Sequence, residues 1–421
     1  MPFPAALAIA GFAMIALAKE STVNVAWTDV RLPALLAAML LVANLSMALT
    51  GFNGDQVLFP VISALAVIGF VIVNRLQPNL TARDPRLANI AQRHSLYVSA
   101  GLVVTVVTAI AFQRWDLLKR YKYTSLAVCI MMLIATFVFG TTINGARLWI
   151  SIGPIQAQPS EFVKLGLVFF MASYLEEKRD LINATWQVGP LRLPPLPYLL
   201  PMLLMWGTSL MVLVVENDLG SAMLLFGVFL VMVYTATGRA FYVATGLVTF
   251  AGACWLAYQL FDRIGLRVQN WLDPWRNALA GGYQPVQSEY AFASGGVLGR
   301  GIGHGQAWRI PEVQTDYFFS AIGEELGLVG TLAIVALFVV ILARGFSIGI
   351  NAKDEYTRLV AIGLTATVAL QALIIFGGVV RLIPLTGITL PFVSAGGSSL
   401  MVNFLIVGLL LSLSRKPAQA P

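Results

Sequence analysis

The chain has 421 residues, of which 58% are hydrophobic and only 11% charged, whereas an average soluble protein carries about 25% charged residues. Twenty-seven Lys and Arg against twenty Asp and Glu leave a formal charge of +7. A soluble enzyme would expose too much apolar surface, and a nucleic-acid binder or a disordered chain needs many more charges. A multi-pass membrane protein remains.

A bilayer span takes roughly 20 mostly apolar residues, and the apolar runs predict an all-α membrane bundle of about twelve transmembrane helices. They fall near 3–18, 32–50, 57–73, 95–112, 124–142 and 160–175, then 195–215, 219–237, 240–260, 317–343, 359–380 and 392–413. Ala16-Leu17-Ala18 resembles a leader cleavage site, but no Lys or Arg precedes the first run, so a retained span is expected. Residues 1–54 form an N-terminal extension with two helices, and 55–421 form the core.

Basic loops set the orientation. Arg114, Lys119, Arg120 and Lys122, then Lys178 and Arg179, then Arg344, Lys353 and Arg358, and finally Arg415 and Lys416 all fall on one face, expected to be cytoplasmic. The loop 75–94, with Arg75, Arg83, Arg86 and Arg93, falls on the other face and breaks the pattern. The basic excess thus reads as topology signal and lipid contact. Cys129 and Cys254 lie in apolar runs and are expected to be buried spectator thiols. With only His94 and His304 besides, far apart in sequence, a His/Cys metal site lacks ligands.

Three unusual stretches share the outer face: 143–164, the long loop 261–316, and 381–399. Long connections with little secondary structure of their own are commonly functional. Asp316 ends the second and opens a span. It suits a helix N-terminus, and equally a general base at the mouth of a membrane cavity, where desolvation raises its pKa. Glu324 and Glu325 follow on what reads as the same helix, about 12 Å deeper. Carboxylates at that depth are either functional or part of a buried ion pair.

In Gln158-Pro159-Ser160-Glu161-Phe162-Val163-Lys164 the Pro, Ser and Glu suit a first helical turn, and Lys164 shares a face with Glu161. Lys164 either snorkels to the surface or offers its charge to a phosphate or pyrophosphate. Arg147, beside Trp149, is a second outer cation. Asp218 sits in a very short turn, as a helix cap or an acid. The Gly-rich run 293–303 follows no strand, so it makes no nucleotide fingerprint. The aromatic, Gln, Ser and Asp residues of the long loop suit sugar rings or lipid headgroups equally. Ala395-Gly396-Gly397-Ser398-Ser399 brings small residues that let backbones approach closely.

Taken together, NGARLW at 144–149, QPSEFVK at 158–164, ENDLGSA at 216–222, WLDPW at 271–275 and GGYQPVQS at 281–288 resemble the SEDS family (shape, elongation, division and sporulation), which includes RodA, FtsW and SpoVE. ASGGVLGRGIG at 293–303, PEVQTDYFFSAIGEELGLVG at 311–330 and IPLTGITLPFVSAGGSSL at 383–400 complete the resemblance, in order, across roughly 55–413. It implies a ten-helix core and a peptidoglycan glycosyltransferase that polymerises lipid II beside a class B penicillin-binding protein in the bacterial inner membrane. The family's catalytic aspartate falls on Asp316, its substrate-site lysine on Lys164, and its motif carboxylates on Glu161 and Glu324. Gln158, Ser160, Arg147, Trp149, Asp218 and Ser398 belong to the same motifs and are expected near substrate. The chain departs from the pattern at Leu148, where many members have Arg, in Ser394-Ala395-Gly396-Gly397, where a Tyr commonly precedes the glycines, and at Thr389, where Pro is usual. The PLTG wording and the added helices lean towards the elongation branch. A divalent cation, Mg or Mn, between Asp316, Glu324 and a pyrophosphate is allowed for. A lipid II flippase is the competing reading, although a carrier places its polar groups near the midplane and these cluster in the outer third. A scaffold that only recruits the crosslinking enzyme is the third.

Overall fold

The computed structural model describes residues 27–143, 146–152, 155–183 and 218–415, with 10–11, 186–188, 191–193, 200, 203 and 207 besides. The predicted spans near 3–18 and 195–215 lie outside these residues apart from a few positions. Each of the other predicted spans is a helix: α1 Trp27–Leu49, α2 Leu58–Arg83, α3 Ile90–Ala111, α4 Lys122–Phe139, α5 Pro159–Asn183, α6 Leu219–Thr237, α7 Ala240–Leu260, α10 Phe318–Ile350, α11 Glu355–Val379 and α12 Gly397–Leu413. Among the described residues, eight helices are long and apolar enough to cross a membrane, and α12 is apolar but shorter. The chain is a predominantly α-helical, multi-pass membrane protein.

Two stretches expected to lack secondary structure have it. Thr141–Ile143 (β1), Ala146–Ile152 (β2) and Ile155–Ala157 (β3) form an antiparallel sheet in the order β1-β2-β3, with Ile143 paired to Ala146 and Ile152 to Ile155. The long loop carries helices α8 Asp262–Leu272 and α9 Tyr283–Gly295.

The chain divides into two compact units, one of residues 1–112, 261–344 and 371–421, the other of 113–260 and 345–370. In the first, α3 lies against α12 because glycines let the backbones meet: a Cβ on Gly101 would stand 2.2 Å from the Phe404 ring, and one on Gly408 would stand 3.0 Å from the Thr105 carbonyl oxygen. The Thr105 hydroxyl donates across the seam to Phe404 O at 2.9 Å. Close approach through small residues is how membrane helices associate without a hydrophobic driving force. Asp55 holds the start of α2, its Oδ1 accepting from Val57 and Leu58 N–H at 2.9 Å each while Arg344 pairs with its Oδ2.

In the second unit α5 packs against α4 and α6. Gly166 abuts Cys129 Sγ, which accounts for Cys129 as a buried spectator. Cys254 departs from expectation: it is exposed, on α7, whose apolar surface is almost wholly uncovered. Such a surface belongs against lipid.

Helix α10 is not continuous. Gly327 takes φ 68° and ψ −164°, which breaks the ladder and frees backbone groups on either side. Unsatisfied groups at membrane depth cost several kcal/mol each, and here the Gly-rich run supplies the partners. Arg300 and Gly301 N–H donate to the carbonyls of Glu324 and Glu325 at 2.9 and 3.0 Å, while Leu328 and Val329 N–H reach Gly296 and Val297 O at 3.0 and 3.1 Å. The glycines serve backbone contact: a Cβ on Gly327 would stand 2.3 Å from Gly299 N. Gly327→Ala should therefore add about 1–3 kcal/mol of backbone strain as well as that overlap, read as a lower melting temperature in detergent.

The arginines of 75–94 are engaged within the first unit. Arg75 pairs with Glu325 at 3.4 Å and donates to Gly303 and Gly305 O. Arg83 donates to Arg309 O, Arg93 to Arg86 O, and Arg86 pairs with Asp84. Most of 75–94 is helix, and its charges hold the 303–309 segment in place. Arg75, Arg83 and Arg93 thus have backbone partners, whereas Arg86 stays largely exposed.

Candidate active site

Asp316 stands in a run of turns over 311–317, just before α10. It is not on the helix with Glu324, so the single carboxylate-bearing face expected from the sequence does not exist. The turn is wound around Glu312, whose carbonyl accepts from Thr315 and Asp316 N–H at 3.1 and 3.0 Å. Glu312 itself has φ 56°, a left-handed conformation that costs a non-glycine residue roughly 1–2 kcal/mol. The 383–399 segment fixes the turn from the other side: Ser394 Oγ donates to Thr315 O at 2.8 Å and Ala395 N–H to Gln314 O at 2.8 Å. Ser394 thus holds the turn through its side chain.

The Asp316 carboxyl faces a cavity of about 160 Å3 whose wall includes Arg267, Asn270 and Trp271 from α8, Gln284 from α9, and Arg381 and Gly387. Gly387 has φ 79°, and a Cβ there would stand 3.5 Å from Asp316 Oδ2. Arg381 is already committed: it pairs with Glu289 and donates to Trp271 O at 2.9 Å, while the Trp271 indole donates back to Arg381 O at 3.0 Å. These bonds lock α8 onto the cavity. Burial pushes the Asp316 carboxyl up to about 7; the Thr315 hydrogen bond pulls it down, the Glu312 charge pushes it up and Arg267 pulls it down. Its side chain nevertheless keeps some open surface, which a proton donor in the cavity can reach.

Glu324 is buried with Ser294 Oγ at 3.3 Å and Arg300 Nη1 at 3.7 Å from its Oε1. It is not on the cavity wall, and the ion-pair reading describes it. The donor set therefore does not suit a Mg or Mn ion shared by Asp316 and Glu324, and no step below passes through a metal. Ser398, on the first turn of α12, is buried.

The second unit gathers the other expected residues. Ser160, Glu161, Lys164 and Asp218 are all buried. Lys164 does not snorkel; its Nζ lies 2.6 Å from Glu161 Oε2 with 2% of its side chain exposed. Asp218 caps α6 by accepting from Ser221 N–H at 3.0 Å, and its Oδ2 accepts from Ser160 Oγ at 3.3 Å. Gln158 precedes α5 and is half-buried, and Trp149 is half-buried on β2. Arg147 is a β2 residue whose backbone pairs with Thr142. Arg267, Asn270, Gln284 and Arg381 were not singled out from the sequence, although Arg267 sits four residues before Trp271 of the WLDPW motif, one helical turn away on α8.

A cavity that holds an acid beside Arg267 and Arg381, set in a multi-pass helical protein, fits a membrane enzyme. Residues 55–419 match the cell cycle protein family of FtsW, RodA and SpoVE, and the chain belongs to that family. Peptidoglycan glycosyltransferase RodA of Mycobacterium tuberculosis is 37% identical over 364 residues, covering 86% of this chain and 78% of the relative. Stage V sporulation protein E of Bacillus subtilis is 34% identical, covering 77% and 87%. A solved structure described as the structural coordination of polymerization and crosslinking by a peptidoglycan synthase complex is 27% identical with a TM-score of 0.69, covering 86% of this chain and 98% of that one.

Proposed function

We propose that the chain is a peptidoglycan glycosyltransferase that polymerises lipid II for cell-wall elongation, with Asp316 as its general base. The observation that carries this is a carboxyl held near neutrality on the wall of a cavity lined by Arg267 and Arg381, where a base with a pKa near the working pH transfers protons most effectively. Asp316 takes the proton from the acceptor sugar's 4-hydroxyl as that oxygen attacks the donor's anomeric carbon. The bond from that carbon to the lipid pyrophosphate breaks, and the pyrophosphate leaves with the electron pair. One displacement inverts the anomeric centre. A pyrophosphate leaves without a strong acid, so no second catalytic carboxylate of the glycosidase kind is needed.

Growing negative charge on the leaving group calls for fixed cations. Arg267 supplies one at the cavity wall, and Lys164 and Arg147 are assigned to the lipid pyrophosphate. Arg267→Gln should raise the Asp316 pKa further, because Arg267 holds it down. The rising limb of the pH–rate profile should move to higher pH and the maximal rate should fall; an unmoved limb would remove Arg267 from the mechanism.

The 37% identity to a RodA against 34% to a SpoVE supports the elongation role. A class B penicillin-binding protein is the proposed partner, supported by a structural relative described within a complex that couples polymerization to crosslinking. The proposed setting is the bacterial inner membrane with the Asp316 cavity outward, where lipid II is consumed. Purified protein in detergent, where flipping has no meaning, should convert labelled lipid II to polymer. Failure to do so alone and with the cognate transpeptidase would overturn the assignment.

A further inference from the structure

A second cleft, of about 370 Å3, opens beside the Asp316 turn, between the α2–α3 junction and 310–314; Arg83, Asp84, Arg86, Pro311, Glu312 and Gln314 line it. Glu312 is common ground: it lines this cleft, and its charge acts on Asp316. Two guanidiniums project here. Arg83 spends one Nη on Arg309 O, and Arg86 is 90% exposed beside Asp84, so N–H donors are left over on a group that has five. Gln314 is only 7% exposed and gives its Nε2 to Glu312 at 2.9 Å, yet its buried Oε1 accepts from nothing. An orphaned buried acceptor is unfavourable, so the cleft calls for a ligand with an N–H or O–H for Gln314 and a carboxylate for the arginines.

We propose that this cleft holds the nascent glycan strand, with acylamino or hydroxyl groups of its sugars donating to Gln314 Oε1 and carboxylates of its peptide stems on Arg83 and Arg86. The inference rests on the glycosyltransferase reading, whose product bears both kinds of group. A phospholipid headgroup phosphate matches less well: a phosphodiester has no hydrogen to give Gln314.

The test uses the full chain in detergent and uncrosslinked glycan strands freed of lipid. Wild type should bind strands bearing stems saturably, Arg83→Gln/Arg86→Gln should bind them several-fold more weakly, and strands stripped of stems should bind wild type as weakly as that variant does. The same variant should release shorter polymer from lipid II. Arg86→Gln alone, at an exposed position, guards against misfolding and should show the same trend. Equal binding by wild type and variant, or equal binding of stripped strands, would overturn the proposal. Displacement of strands by phosphatidylglycerol without any dependence on stems would give the cleft to lipid. If wild type polymerises while strand binding ignores Arg83 and Arg86, only the cleft assignment falls. If wild type makes no polymer, the enzymatic reading itself falls.

Discussion

Asp316→Asn is expected to lower polymerisation of lipid II by at least the 10²–10⁴-fold typical of a lost general base, while making the protein more stable at alkaline pH. The sign of the second effect follows from linkage. In the unfolded chain the carboxyl titrates near its ordinary value of about 3.9; in the fold it titrates at about 7. Below both values the group is protonated in both states and contributes no difference. As pH rises, the unfolded chain loses its proton first and is favoured more and more, until the folded carboxyl also ionises near 7; beyond that the penalty is constant. Asparagine cannot ionise, so the gain in melting temperature over wild type should be small near pH 5 and largest near pH 8. An equal gain at both values would contradict the raised carboxyl, and near-normal polymer synthesis would contradict the base.

Lys164→Gln is expected to act first through stability. It leaves Glu161, with 4% of its side chain exposed, without its counter-ion, and breaking a buried pair from one side costs about 3–5 kcal/mol. Replacing both ions by neutral residues removes the uncompensated charge, so Glu161→Gln/Lys164→Gln should regain much of the lost melting temperature. Polymerisation should not return with it, since the proposed contact with pyrophosphate needs the cation. Recovery of both stability and activity in the double variant would leave Lys164 a structural ion alone.

The spans were legible because apolar runs of membrane length have few other uses, and Asp316 because its motif places an acid between a long loop and a span. The interior of the loops was not. Asn144-Gly145 is a strong two-residue hairpin signal, but the surrounding ARLWISI reads as a loop when the rest of the chain is helical. Arg267 belongs to a short amphipathic helix, and only the fold shows which of its faces meets Asp316. The Gly-rich run around Gly299 makes no nucleotide fingerprint, and its actual task was hidden: its glycines touch the broken backbone at Gly327, a contact between residues far enough apart that no local pattern reports it. Arg75 illustrates the same limit. A loop arginine that marks sidedness and one that neutralises a buried Glu325 look alike until the partner is seen.

The dependence of initial polymerisation rate on pH, measured on the purified protein with lipid II, tests the central claim most directly. Activity should climb tenfold per pH unit below about 7 and level off above it, as one carboxyl with that pKa gives up its proton. A rate that is flat across that range, or that falls as Asp316 ionises, would contradict the assignment of this side chain as the base.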